Sequence, residues 1–242
     1  VFSPQDIIDN LDRNDIRYAV VTGIPSSQTR TLYRHAPNRI VLFLSIAQNQ
    51  HDKISWVNNA ALLHQLAAEL NRGDWQGIGE LHIFADNRHS RVFRRIIEIA
   101  LQRQLPVLLH CDPAVIDTVY DIAPDLQVIW AHAGTFPYPD LVADYLQRYP
   151  TLVVDLSVRD ARITSHGEIG DAWYELFVSY PDRCMIGIDT YSLSRWQDYA
   201  KVAMTIRQWT SQLPDDIASR LAYQNAAAVF NAVSVTKQKP DD

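Results

Sequence analysis

The chain has 242 residues, of which 47% are hydrophobic and 21% are charged, and it contains eight glycines. This composition is typical of a globular domain and excludes fibrous and low-complexity chains. The formal net charge of −6, without a block rich in Lys and Arg, argues against nucleic acid or an anionic membrane as the main partner. No apolar run approaches the ~20 residues of a membrane helix. We therefore expect a soluble protein, either cytoplasmic or exported.

The first residue is Val1 rather than a Met, so we expect that an upstream part was removed by processing or truncation. No segment with a basic start followed by an apolar core opens the chain as a signal peptide would. Cys111 and Cys184 fall in or beside predicted strands that are far apart in sequence. We expect two buried thiols rather than a disulfide framework, so the cysteines do not indicate the cellular compartment.

The chain opens with a helix, for which Ser3 is the predicted N-cap and Pro4 the first helical residue. After it, apolar segments of strand length alternate with segments of helical period, which predicts βαβ units and a parallel sheet. The predicted strands are 16–21, 40–45, 78–84, 107–111, 128–132, 152–157 and 185–189. The clearest predicted helices are 56–71, 91–103, 137–148 and 169–180.

These elements predict an α/β fold, namely a TIM-type (β/α)8 barrel of which seven strands are visible. Each later helix already follows a strand, so the missing first strand should lie upstream of Val1. An open doubly wound sheet, which needs no closure, is the alternative. We expect one barrel domain over residues 1–232 and a frayed tail over residues 233–242.

Four polar residues, Glu80, His110, His132 and Asp189, lie where apolar strand-length runs end. The carboxyl ends of barrel strands face the loops that form active sites, so we expect these side chains to converge. Strict alternation puts residues 78, 80 and 82 on one face of their strand, which directs both Glu80 and His82 inward. Imidazoles and carboxylates together suit Zn²⁺, with Mn²⁺, Fe²⁺ or Co²⁺ as substitutes.

Three residues are candidates for contact with a substrate. The guanidinium of Arg159, after the strand 152–157, suits a carboxylate or a phosphate, but a structural ion pair explains it equally well. His82 is either a site residue or a hydrogen-bonded barrel histidine. Tyr191, just after the strand 185–189, can form an aromatic wall or pack under the next helix.

From Ser3 to Phe230 the chain resembles the amidohydrolase superfamily, in its branch of small (β/α)-barrel metal-dependent hydrolases and decarboxylases (amidohydrolase family 2 type). The matching segments are Gly77-Ile78-Gly79-Glu80, Leu109-His110, Ala131-His132-Ala133-Gly134, Ile186-Gly187-Ile188-Asp189-Thr190 and Asn225-Ala226-Ala227-Ala228-Val229-Phe230.

The resemblance implies that His110 binds a metal ion and that Asp189 binds metal or serves as the base. It also implies that His132 binds a second metal or polarises the substrate, and that Glu80 ligates or bridges. The family also carries a His-x-His pair at the end of its first strand, and the sequence contains no such pair. Either a strand upstream of Val1 supplies it, or the chain is a degenerate relative without turnover.

The expected activity is therefore that of a metal-dependent hydrolase, in which a metal-activated water cleaves an ester, lactone or amide bond of a small substrate that can carry a carboxylate. Asp189 would carry the proton, and His132 would donate to the oxyanion. One alternative is a metal-dependent decarboxylase of the same superfamily. The other is a non-catalytic barrel that only binds a small ligand. A homodimer is the candidate assembly.

Overall fold

The computed structural model describes residues 2–230, so the end of the predicted domain at residue 232 and the tail predicted at 233–242 lie outside the described part. Among these residues the α-helices are α1 (Pro4–Arg13), α2 (Ser26–His35), α3 (Asp52–Ser55), α4 (Ala61–Asn71), α5 (Arg91–Arg103), α6 (Pro113–Ile122), α7 (Pro139–Arg148), α8 (Asp160–Ile163), α9 (Asp171–Ser179), α10 (Leu193–Gln197), α11 (Tyr199–Thr210), α12 (Asp215–Ser219) and α13 (Asn225–Phe230). The strands are β1 (Ala19–Val21), β2 (Ile40–Leu44), β3 (Gly77–Ile83), β4 (Val107–Cys111), β5 (Val128–Trp130), β6 (Leu152–Asp155), β7 (Thr164–Ser165), β8 (Glu168–Ile169) and β9 (Cys184–Met185).

Seven of these strands belong to one parallel sheet and alternate along the chain with helices. This is the arrangement of a TIM-type α/β barrel with one strand fewer than eight, so the predicted fold class is confirmed. The strands β7 and β8 form a separate antiparallel pair, which the sequence pattern did not predict. Between Phe2 and Phe230, no helix combines the length and the apolarity needed to cross a membrane.

Within residues 2–230, the chain divides after Ile129 into two compact units. In the first unit, β1, β2, β3 and β4 are parallel neighbours in chain order. Its core contains Phe43, Trp56 and Phe93, and the rings of Trp56 and Phe93 meet edge to face with their centroids 6.3 Å apart. The expectation of one barrel domain over residues 1–232 stays a prediction.

Two helices of the first unit begin at side-chain caps, of which the cap at Ser3 is the predicted one. Ser3 and Asp6 form a reciprocal capping box at the start of α1, and the Ser90 hydroxyl accepts hydrogen bonds from the amides of the first turn of α5. The single helix predicted over 56–71 is wrong. Trp56–Asn58 is a 3-10 turn that the Trp56 indole anchors by donating to the His82 carbonyl at 2.9 Å, and α4 begins only at Ala61.

In the second unit, β6 and β9 pair in parallel, with Val154 opposite Cys184. The core contains Trp130, Phe177 and Trp209, and the rings of Phe177 and Trp209 stack with their centroids 5.6 Å apart. The amide of Asn225 donates to the carbonyls of Pro181 at 2.8 Å and Cys184 at 2.7 Å, which ties α13 to the start of β9.

Three strands of this part of the chain end earlier than the apolar runs predict. β5 ends at Trp130 because His132 and Ala133 adopt left-handed conformations, with φ values of 59° and 52°. β6 ends at Asp155, and β9 is limited to Cys184–Met185, with Asp189 at φ 53°. His132 and Asp189 therefore lie on turns beyond the ends of β5 and β9 rather than on the strands themselves.

Candidate functional site

Glu80, His82 and His110, which we call the ligand cluster, lie together on β3 and β4. His82 and His110 are directly opposite in the sheet register, and their rings stack with centroids 4.4 Å apart. The Glu80 carboxylate reaches both rings, with Oε1 3.3 Å from His110 Nδ1 and Oε2 3.4 Å from His82 Nε2. One ligand atom from each of the three residues lies within 4.8 Å of the other two.

β3 contains a register shift between Ile78 and Leu81, next to Glu80 and His82. Ile78 pairs with Val107, whereas Leu81 pairs with Leu109, so β3 holds one residue more than β4 over this stretch. Ile78 therefore lies on the face of Leu81, and the prediction that it shares a face with Glu80 and His82 is wrong. Simple alternation fails here because the extra residue interrupts it.

Gly79 and Thr22 stabilise this shift. Gly79 adopts φ +140°, and a Cβ at this position would lie 2.5 Å from the carbonyl oxygen of Leu108. The Thr22 hydroxyl accepts a hydrogen bond from the Glu80 amide at 3.1 Å and donates a short one to the Gly79 carbonyl. Thr22, on the segment after β1, thus fixes the backbone that carries the Glu80 carboxylate.

The electrostatics of His82 suit a metal ligand. Burial lowers the pKa of its imidazole, and the nearby Glu80 carboxylate only partly opposes that effect. The neutral ring, which is the form that binds metal, is therefore favoured at neutral pH. Within the described chain, His82 Nε2 is buried and makes no hydrogen bond of good geometry.

The spacing of the ligand cluster also fits a divalent ion. Zn²⁺ binds nitrogen and oxygen at about 2.0–2.2 Å, so two ligand atoms of one ion lie at most about 4.4 Å apart. The Glu80 oxygens already meet this limit with both rings, and one ligand atom from each of the three residues lies within 4.8 Å of the other two, which is close to the limit. Two imidazoles and a carboxylate are a donor set that zinc uses in proteins.

A second group, which we call the His132 cluster, consists of His132, Asp155, Ser157 and Asp189. His132 Nδ1 lies 2.7 Å from the Ser157 hydroxyl, and that hydroxyl makes a short hydrogen bond to Asp155 Oδ2. On the other side of the ring, His132 Nε2 lies 3.8 Å from Asp189 Oδ2. The imidazole is thus placed between a buried serine and a carboxylate, in an arrangement suited to proton transfer.

Backbone contacts from distant residues hold the turn at His132. Its amide donates to Asp155 Oδ2 at 3.2 Å, and its carbonyl accepts from Arg159 Nε at 2.5 Å. Arg159 Nη2 also donates to the Gly134 carbonyl at 2.9 Å. A left-handed histidine costs roughly 1–2 kcal/mol relative to the ordinary conformations, and these contacts offset that cost.

The remaining candidates lie as follows. Arg159 contacts backbone carbonyls rather than the acid expected for an ion pair, and burial lowers the pKa of its guanidinium, with Arg162 adding to the effect and Asp155 opposing it. Tyr191 is 71% exposed. Arg195 donates to the carbonyls of Ile188 and Asp189, which fixes the turn that carries the Asp189 carboxylate.

Sequence reasoning did not nominate Thr22, Asp155 or Ser157. For Asp155 and Ser157 a signal was present, since they follow Val153 at alternate positions where the strand run ends. Thr22 gave no such signal, because its importance arises from a contact with Glu80, 58 residues away.

The fold and the ligand cluster define a TIM-type barrel protein with a candidate metal site. The family model for amidohydrolases matches residues 72–232, and the chain belongs to that family. Comparison with curated proteins gave no significant match.

Solved structures with the same fold include three hydrolases of low sequence identity. An amidohydrolase from Burkholderia multivorans with bound zinc aligns with a TM-score of 0.63 at 16% identity, over 95% of this chain and 88% of that one. A probable 2-pyrone-4,6-dicarboxylic acid hydrolase from Acinetobacter baumannii, with citric acid bound, gives 0.63 at 13% over 95% and 89%. A TatD-family hydrolase from Entamoeba histolytica gives 0.61 at 11% over 93% and 88%. At these identities the likeness concerns the fold.

Proposed function

We propose that the protein is a metal-dependent hydrolase that cleaves an ester, lactone or amide bond in a small substrate. The observation that carries the proposal is the ligand cluster, in which Glu80, His82 and His110 bring three metal-binding atoms within 4.8 Å of one another. Membership of the amidohydrolase family supports a hydrolytic reaction. Water or further protein ligands would complete the coordination of the ion.

The metal we propose is Zn²⁺, held by Glu80, His82 and His110. When bound, such an ion supplies Lewis acidity, which lowers the pKa of a coordinated water and polarises a carbonyl. Other features of the chain favour the metal-binding form of His82 and the position of Glu80. Burial lowers the pKa of His82 and so favours its neutral form, and the two hydrogen bonds of Thr22 fix the backbone at Glu80.

We assign proton transfer to Asp189 and His132. Asp189 would accept the proton that water loses during hydrolysis and later return it to the leaving group. His132, with Nε2 3.8 Å from the Asp189 carboxylate, is placed to exchange a proton with it. Distances of this size in a protein without substrate often shorten in the reacting complex.

Arg159 and Tyr191 have different proposed roles toward the substrate. Arg159 uses two nitrogens to hold the turn at His132, so we assign it chiefly to positioning that turn. Tyr191 is largely exposed and can contact a ligand directly. Because a neighbour in fold is a probable dicarboxylic acid hydrolase, carboxylated lactones belong among the first substrates to be tried.

The test is hydrolysis of a panel of aryl esters, lactones, carboxylated lactones and amides by Zn²⁺-loaded protein. We expect chelation to remove the activity, and Asp189→Asn to lower kcat by roughly 10²- to 10⁴-fold, as the loss of a general base does. His64→Ala, which changes an exposed histidine on α4, is the matched control and should keep full activity. Full activity of Asp189→Asn would overturn the role of Asp189. Release of carbon dioxide without hydrolysis would replace the hydrolase by a decarboxylase.

A further inference from the structure

Asp155, Ser157 and His132 form a continuous chain of hydrogen bonds in the interior of the second unit. Asp155 Oδ2 lies at one end, the Ser157 hydroxyl in the middle, and His132 Nδ1 at the other end, 2.7 Å from that hydroxyl. Ser157 is 3% exposed and His132 is 6% exposed. Because these groups are buried, the direction of each hydrogen bond matters energetically.

The direction follows from the inventory of donors and acceptors. A carboxylate only accepts, and a serine hydroxyl has one hydrogen to donate. Two backbone amides already donate to Asp155, that of His132 to Oδ2 and that of Ser157 to Oδ1, both at 3.2 Å. The Ser157 hydrogen therefore points at Asp155, and the Ser157 oxygen must accept a hydrogen bond from His132 Nδ1.

We propose that Asp155 and Ser157 are positioning residues that hold His132 as the tautomer protonated at Nδ1, which leaves Nε2, 3.8 Å from Asp189 Oδ2, without a proton in the resting protein. The catalytic meaning of this arrangement rests on the proposed function. The tautomer itself does not, since it is a property of the resting protein and is measured without turnover.

The tautomer determines what His132 does in the reaction. With its hydrogen at Nδ1, the neutral ring accepts a proton at Nε2 and cannot donate one there. When Asp189 has taken a proton from water, Nε2 can accept it, which makes Asp189 a carboxylate again and His132 an imidazolium. Only in that form does Nε2 donate a hydrogen bond to an oxyanion or give the proton back to Asp189, which returns it to the leaving group. Asp155, acting through Ser157, stabilises the positive charge on the ring.

Gly187 provides the space that this arrangement needs. A Cβ at residue 187 would lie 2.1 Å from Asp155 Oδ1 and 3.0 Å from the Cβ of Ser157. A side chain there would therefore displace the carboxylate that begins the hydrogen-bond chain. Glycine at residue 187 therefore allows the Asp155 carboxylate to occupy its observed position.

The experiment is long-range ¹H–¹⁵N NMR of the histidine rings in the full chain, with and without Zn²⁺. The His132 signals are identified by their loss in His132→Gln. We expect wild-type His132 to show a protonated, pyrrole-type Nδ1 and an unprotonated Nε2. A wild-type His132 ring protonated at Nε2 would overturn the proposal, whatever the behaviour of the variants at residue 157.

Two variants at residue 157 give a matched pair. Ser157→Thr keeps the hydroxyl and should keep the Nδ1-protonated form. Ser157→Ala removes the nearer acceptor, leaves Asp155 Oδ2 at 3.5 Å from Nδ1, and should shift the ring toward a mixture of tautomers. Ser157→Ala should also lower kcat about 10- to 100-fold with little change in KM, since it alters the orientation of His132 and not substrate binding. An unchanged tautomer in folded Ser157→Ala would contradict the role of Ser157. Lack of hydrolysis in the wild type, with the Nδ1 form intact, would count only against the proposed function.

Discussion

The substitution Thr22→Val tests how the ligand cluster is held in place. It keeps the shape of the side chain but removes the hydroxyl that accepts from the Glu80 amide and donates to the Gly79 carbonyl. Each such hydrogen bond contributes about 1 kcal/mol net, and leaving its partners poorly solvated adds to the loss. We therefore expect a destabilisation of about 2–3 kcal/mol, measured by urea denaturation of the protein in the presence of a chelator.

The same substitution should weaken metal binding. Loss of a residue that orients a ligand typically lowers metal affinity about 10- to 100-fold, and the Thr22 hydroxyl is the group that fixes the backbone at Glu80. Titration with Zn²⁺ against a competing chelator measures this loss. Thr22→Ser retains the hydroxyl and is the control, with affinity close to wild type. If Thr22→Val bound zinc as tightly as Thr22→Ser and were equally stable, the account of β3 would be refuted.

Three further predictions concern other parts of the chain. Burial raises the pKa of the Cys184 thiol to about 12, so iodoacetamide at pH 8 should alkylate Cys184 only after unfolding, and labelling of the native protein would contradict its burial. Burial lowers the pKa of His82 from 6.5, so the folded metal-free protein binds fewer protons at this residue than the unfolded chain. The free energy of unfolding should therefore be unaffected by His82 above about pH 6.5 and should decrease as the pH drops below that value. His82→Gln should reduce this pH dependence in urea denaturation, and an unchanged slope would refute it. Asn225→Ala removes one buried and one partly buried hydrogen bond and should destabilise the protein by about 2–3 kcal/mol, whereas a loss below about 0.5 kcal/mol would contradict the tie between α13 and β9.

The sequence could predict the fold class and the position of the ligand cluster because both depend on short-range patterns. Buried parallel strands give continuous apolar runs, so a polar residue at the end of such a run can be recognised from the sequence alone. Glu80 and His110 were found in this way, and His82 followed from its spacing of two residues from Glu80. These residues lie close together because β3 and β4 are neighbouring parallel strands, with His82 opposite His110.

The details that the sequence could not predict arise from contacts between distant residues. The register shift near Gly79 depends on a left-handed backbone and on Thr22, which the pattern of apolar residues does not reveal. The left-handed turn at His132 likewise depends on Asp155 and Arg159, more than twenty residues away. Strand ends were predicted too long for the same reason, since the apolar run continues into turns that these contacts determine.

The measurement that tests the central claim most directly is the zinc content of the purified protein by elemental analysis, after loading and removal of free metal. The account predicts close to one ion per chain in the wild type and in the exposed control His64→Ala. It predicts substantial loss in each of Glu80→Gln, His82→Ala and His110→Ala, with the fold checked by circular dichroism. Retention of the wild-type zinc content by all three folded variants would contradict the assignment of this cluster as the metal site.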